Sequence, residues 1–146
     1  MTSITVLTAV LLGLYFLIYL YLTFGYRRPG ENPNINLTPL WSYRKAFQFN
    51  PLKIQRRALA RQILLNILLT VPAGLLLPIL YKTKRSYLFT AFTILAVSLL
   101  TETIQYFTHL GLCELDDVIN NFMGGLLGMA VLWTGSKHRR KEQSKA

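Results

Sequence analysis

A single cysteine, Cys113, stands among 146 residues, so no intramolecular disulfide can staple this fold. Charge is also scarce: 15% of residues are charged, against about 25% in an average soluble domain. Whole stretches carry none, namely Met1–Tyr26, Gln62–Tyr81, Ser86–Thr101 and Val118–Ser136. Hydrophobic residues reach 52% and mean hydropathy is +0.35, which points to lipid as the solvent. About twenty apolar residues cross a bilayer, so the sequence reads as all-α, an integral membrane bundle of four transmembrane helices. The spans fall at about 4–26, 62–81, 86–108 and 117–134, within one membrane domain over 1–146. The length leaves no room for a large multidomain enzyme.

What charge there is leans one way, with sixteen Lys and Arg against six acids and a net charge of +10. In a soluble protein that balance suggests nucleic acid. Here the cations sit between and after the apolar runs, so membrane lipids with anionic headgroups are the expected partner, and nucleic acid is not. The first run lacks a basic start and a small-residue cleavage site, so it reads as a retained span whose aromatics, Tyr15 to Tyr26, settle at the headgroups. The connection over 27–61 holds Pro29, Pro33, Pro39 and Pro51 and excludes a span. In it Trp41, Tyr43, Phe47 and Phe49 interleave with Arg44 and Lys45, the mix of an interfacial basic segment between helices 1 and 2.

Asn66, Pro72, Gly74 and Pro78 fall in the second run, and the prolines are expected to interrupt its backbone ladder. Four spans put both termini on one side. Lys and Arg tie at eight on each side, and the short connections break the tie. Lys82-Thr83-Lys84-Arg85 is basic, while 109–117 has no Lys or Arg and three acids. Both termini, with the basic tail 137–146, are therefore expected in the cytoplasm and the acidic turn outside.

Glu102, Gln105 and His109 are spaced i, i+3 and i+7, one helical face on a straight helix. A carboxylate near hydrocarbon is costly and normally faces the bundle interior with a partner; Gln105, His109, Asn66 and Asn121 are the candidates. Asp117, Asn121, Gly124 and Gly128 share a face of the fourth run, and the Gly124/Gly128 pair allows close helix approach. The expected neighbour is the third helix, which would bring Glu102 and Gln105 to Asn121 and the acidic turn. Either Asp116 or Asp117 can cap free helix amides. Glu114, Asp116 and Asp117 would suit calcium or magnesium, but no calcium-hand loop is present, and no metal or cofactor is assigned. Neither a phosphate-cradling glycine loop nor a nucleophile elbow occurs.

Taken in order, Asn36-Leu37-Thr38-Pro39-Leu40, Asn66 with Pro72-Ala73-Gly74, Glu102-Thr103-Ile104-Gln105 and Gly111 to Gly128 with Asp116-Asp117, Asn121 and Gly124 resemble the VanZ-like membrane proteins. The resemblance covers about residues 10–134. It implies a small multi-span protein of the bacterial cytoplasmic membrane and cell envelope, whose founding member is associated with resistance to teicoplanin. The family's motif positions map onto Asn66, Pro72, Gly74, Glu102, Gln105, Asp117, Asn121, Gly124 and Gly128. Many relatives carry an arginine shortly before the acidic turn, where this chain has His109.

Three functions compete on these residues. The first is antibiotic resistance through an outward polar pocket, built from Asn66, Glu102, Gln105, Asp116, Asp117 and Asn121, that binds a glycopeptide, a cell-wall precursor linked to lipid, or a headgroup. The second is a membrane-embedded hydrolase or transferase with Glu102 and Asp117 as acid and base. The third is a proton-coupled carrier titrating at Glu102, disfavoured because four spans show no inverted repeat. Sequence alone separates neither binder from enzyme nor one oligomeric state from another.

Overall fold

The computed structural model describes residues 3–25, 35–47 and 53–143. Tyr26, Pro29, Pro33, Phe49 and Pro51, named above, and the end of the basic tail, 144–146, lie outside the described residues. Helix α1 (Ser3–Leu20) runs into a wider π-helical turn, Tyr21–Gly25. A two-residue strand β1 (Ile35–Asn36) and a short helix α2 (Trp41–Phe47) follow. Then come α3 (Lys53–Tyr81), α4 (Ser86–Thr108), β2 (Cys113–Glu114) and α5 (Leu115–Gln143). Among the described residues four segments are long and apolar enough to cross a membrane: Ser3–Gly25, Ile54–Tyr81, Ser86–Thr108 and Leu115–His138.

The solvent explains what lies where. Leu64, Leu99, Leu100 and Val131 are exposed, while the buried set is mostly polar, including Thr70, Thr90, Ser98, Asn120 and Asn121. Lipid offers no hydrophobic drive between helices, so close packing and interhelical hydrogen bonds hold them. On α4 the buried positions Thr90, Ile94, Ser98, Thr101, Glu102 and Gln105 recur at helical spacing, which turns one stripe toward α3 and α5.

Three sequence expectations change. Helix α3 continues through Pro72 and Pro78 without a break, and it begins at Lys53, so the basic stretch adds turns ahead of the apolar run. A proline inside a membrane helix is tolerated where neighbouring helices cover it. The glycine strip serves a different neighbour: a β-carbon on Gly124 would lie 2.0 Å from the Ile67 carbonyl oxygen, and one on Gly128 would lie 2.2 Å from that of Val71. Both partners belong to α3. Gly125 is the residue that faces α4, at Ile94. Finally, α4 stops at Thr108 and His109 takes a left-handed conformation, φ 56°, so His109 leaves the face of Glu102 and Gln105.

At one end of the bundle the long connection folds back over the acidic turn. β1 pairs in parallel with β2, Ile35 against Cys113 and Asn36 against Glu114. The Asn36 side chain accepts the Thr38 amide at 3.2 Å, a local turn that steers the chain toward α2. The exposed cations of α2 lie along it, with Lys45 over the Trp41 ring at 5.6 Å.

Candidate functional site

Below that cover the four long helices meet in a polar layer. Gln62, on α3, uses both hydrogens of its amide to join two acids, Glu114 and Asp117, the latter at 3.1 Å. The Glu102 carboxylate accepts the backbone amide of Glu114 at 2.9 Å, which fastens the acidic turn to α4. Asn121 ties three helices together. Its side chain donates to Ser98 Oγ on α4 at 2.8 Å, and its carbonyl accepts the Thr70 hydroxyl on α3 at 2.7 Å. Helix α1 joins through Tyr19, whose hydroxyl lies 2.8 Å from Thr101 Oγ1.

Asp116 instead accepts the amides of Leu40 at 2.6 Å and Ser42 at 2.7 Å, so it caps α2 alongside the Thr38 carbonyl, which takes the Trp41 amide at 3.3 Å. Tyr43 on α2 donates to the side-chain oxygen of Asn120, one turn beyond Asp116 on α5. Burial and the adjacent Asp116 charge push the Tyr43 phenol up from its ordinary value, which keeps it protonated and donating. The Cys113 thiol is also pushed up, by burial first and then by Glu102 and Glu114.

A cleft of about 630 Å³ opens beside the layer, between α1, α3, α4 and α5. Its polar wall comprises Gln62, Asn66, Gln105, Asp117 and Asn121, with Arg61 beside them. Its apolar wall includes Leu22, Leu65, Leu68 and Leu69. Three atoms of these residues are buried without a hydrogen-bond partner: Asn66 Nδ2, Gln105 Oε1 and Asn121 Oδ1. Unpaired buried polar atoms cost free energy, and their concentration along one cleft marks it as a place where a ligand can supply the missing bonds.

The VanZ/LLP1 family model matches residues 7–135 of this sequence. The chain belongs to the VanZ-like family. Protein VanZ of Enterococcus faecium is 31% identical to it over 83 residues, which make up 57% of this chain and 51% of that protein. The chain thus spans about half the length of that curated relative. No solved structure gives a significant match.

Of the residues singled out in this VanZ-like sequence, the fold brings Asn66, Gln105, Asp117 and Asn121 to the cleft wall. Glu102 is buried and is not among the cleft-lining residues, holding the acidic turn from behind. Asp116 secures α2, while Gly74, Gly124 and Gly128 bring α3 and α5 together. Sequence reasoning passed over Gln62, although it lies four residues before Asn66 and so on the same helical face. It gave Tyr43 only an interfacial place and assigned no role to Asn120, Thr70 or Ser98. Their roles are long-range, and no local pattern announces them.

Proposed function

We propose that this VanZ-like protein sits in the bacterial cytoplasmic membrane with its cleft on the outer side and alters glycopeptide susceptibility by binding an envelope ligand there. The ligand is a glycopeptide, a lipid-linked cell-wall precursor or a lipid headgroup. The observation that carries the reading is the set of three unpartnered amide atoms in a cleft that also contains Asp117 and an apolar wall. Binding is favoured over turnover by a Glu102–Asp117 pair because Glu102 is committed to the Glu114 amide and is not among the cleft-lining residues. Acid–base work requires a group within hydrogen-bond reach of substrate.

The test is complementation of a deletion strain scored for teicoplanin and vancomycin sensitivity, at matched membrane levels of each variant. Asp117→Asn and Gln105→Leu are each expected to lower resistance. The double variant should be little worse than the more damaging single one, because groups that share one ligand are non-additive. Full resistance in both singles would mean that the cleft is not the site.

Orientation has a native reporter in Cys113, on the acidic turn. With that turn outside, a membrane-impermeant maleimide labels Cys113 in intact cells. The raised thiol pKa sets the sign of the pH dependence: the thiolate is the reacting form, so its fraction is small at neutral pH and labelling speeds up as pH rises beyond the ordinary thiol range. Labelling confined to inside-out vesicles at every pH would invert the topology.

A further inference from the structure

The polar cleft is not isolated. A second cavity, of about 480 Å³, lies next to it further along the bundle, and Tyr19 and Asn121 line both. Its wall is almost wholly apolar, with Leu12, Phe16, Ala73, Leu77, Leu80 and Val97 among the lining side chains. Along α1 the lining extends from Tyr19 to Ala9, and along α3 from Thr70 to Leu80. Ten helical residues rise about 15 Å, so this chamber covers about half the hydrocarbon thickness of a bilayer. A polar cleft near the acidic turn with an apolar chamber adjoining it along the span matches the two-part chemistry of an amphiphile.

The cleft also selects a headgroup. Gln105 Oε1 and Asn121 Oδ1 are acceptors in need of donors, beside the Asp117 carboxylate that Gln62 already holds. Asn66 Nδ2 is a donor in need of an acceptor. A hydroxyl both donates and accepts, so a hydroxyl-rich group can meet all of these. A phosphate monoester or diester offers only acceptor oxygens, so it can pair with Arg61 and Asn66 Nδ2 but leaves Gln105 Oε1 and Asn121 Oδ1 unmet, and its charge opposes Asp117.

Resting on the reading of the cleft given above, we propose that cleft and chamber form one site for a neutral glycolipid. The sugar hydroxyls occupy the polar cleft, and one hydrocarbon chain lies between α1 and the α3/α4 pair. Gly13 supplies a clean probe, because it lines the chamber and a β-carbon there would meet no atom within 4 Å. Gly13→Phe therefore adds bulk at the chamber wall with no clash at its first carbon.

The purified full chain, held in a sugar-free detergent, is mixed with a monoglucosyl diacylglycerol, with phosphatidic acid of the same chains, or with free glucose, and retained ligand is read by native mass spectrometry. The glycolipid should be retained at least tenfold better than phosphatidic acid, and free glucose should not be retained. Gly13→Phe should keep the parent's thermal midpoint and lose at least tenfold in glycolipid retention; Gln105→Leu should lose retention as well. Equal retention of the two lipids, or undiminished retention by Gly13→Phe, would overturn the proposal. The susceptibility assay fails separately. Glycolipid retention without any resistance phenotype in the cleft variants leaves the lipid site standing and removes the functional reading, whereas a phenotype without retention does the reverse.

Discussion

Gly124→Ala should cost the folded bundle about 3 kcal/mol, at the upper end of what overpacking a tight interface does, and show as a lower thermal midpoint in detergent. The added carbon would sit 2.0 Å from the Ile67 carbonyl oxygen and 2.2 Å from Thr70 Oγ1. Backbone cannot rotate away as a side chain can, so α3 and α5 must separate. Separation also pulls the Thr70 hydroxyl from the Asn121 carbonyl and distorts the polar layer. Gly74→Ala and Gly128→Ala meet backbone in the same way, at Gly125 and Val71. Gly125→Ala is the control, since its nearest neighbour is the far end of the Ile94 side chain at 2.3 Å, which can turn aside. That variant should lose less than about 1 kcal/mol, part of it offset by the helix propensity of alanine. Equal midpoints for Gly124→Ala and Gly125→Ala would show that close approach of α3 and α5 does not hold the bundle together.

The contrast between these glycines also shows where reading the sequence stops. Small residues four apart announce that some helix comes near, but the pattern carries no address, and the third span was the wrong neighbour for Gly124 and Gly128. The spans themselves were legible because each is a charge-free run near the length lipid demands. Glu102, Gln105, Asp117 and Asn121 were legible as interior groups because polar atoms in hydrocarbon need a reason. Gln62 was not, since it reads as the first uncharged residue of a span, and its two acid partners lie more than fifty positions away. The same limit applies to Asp116. An acid beside a helix start suggests a cap for its own helix, whereas here it caps another helix, from a distance in sequence that no local rule reaches.

Asp116→Ala is the second large effect, and it should be local. The carboxylate holds two amides, those of Leu40 and Ser42, and both it and Ser42 are about 2% exposed, so water does not replace the lost bonds. Hydrogen bonds to a charged group are worth roughly 1.5–3 kcal/mol each, and losing both should weaken the docking of α2 by about 3 kcal/mol or more. Leu40 adds to the release, because its φ of 58° is a strained left-handed conformation for a leucine, stable only while its surroundings impose it. Segment 36–47 should then open about a hundredfold more often, at 1.4 kcal/mol per tenfold. Trypsin reports this directly, cutting after the exposed Arg44 and Lys45 of α2, while the thermal midpoint of the four long helices moves little. Asp116→Asn should rescue only part of the loss, since its carboxamide keeps one acceptor but turns an NH2 toward the other backbone N–H. If trypsin cuts the parent and Asp116→Ala at the same rate, α2 is held by the Tyr43–Asn120 bond and the β1–β2 pairing, and Asp116 is free to serve a ligand.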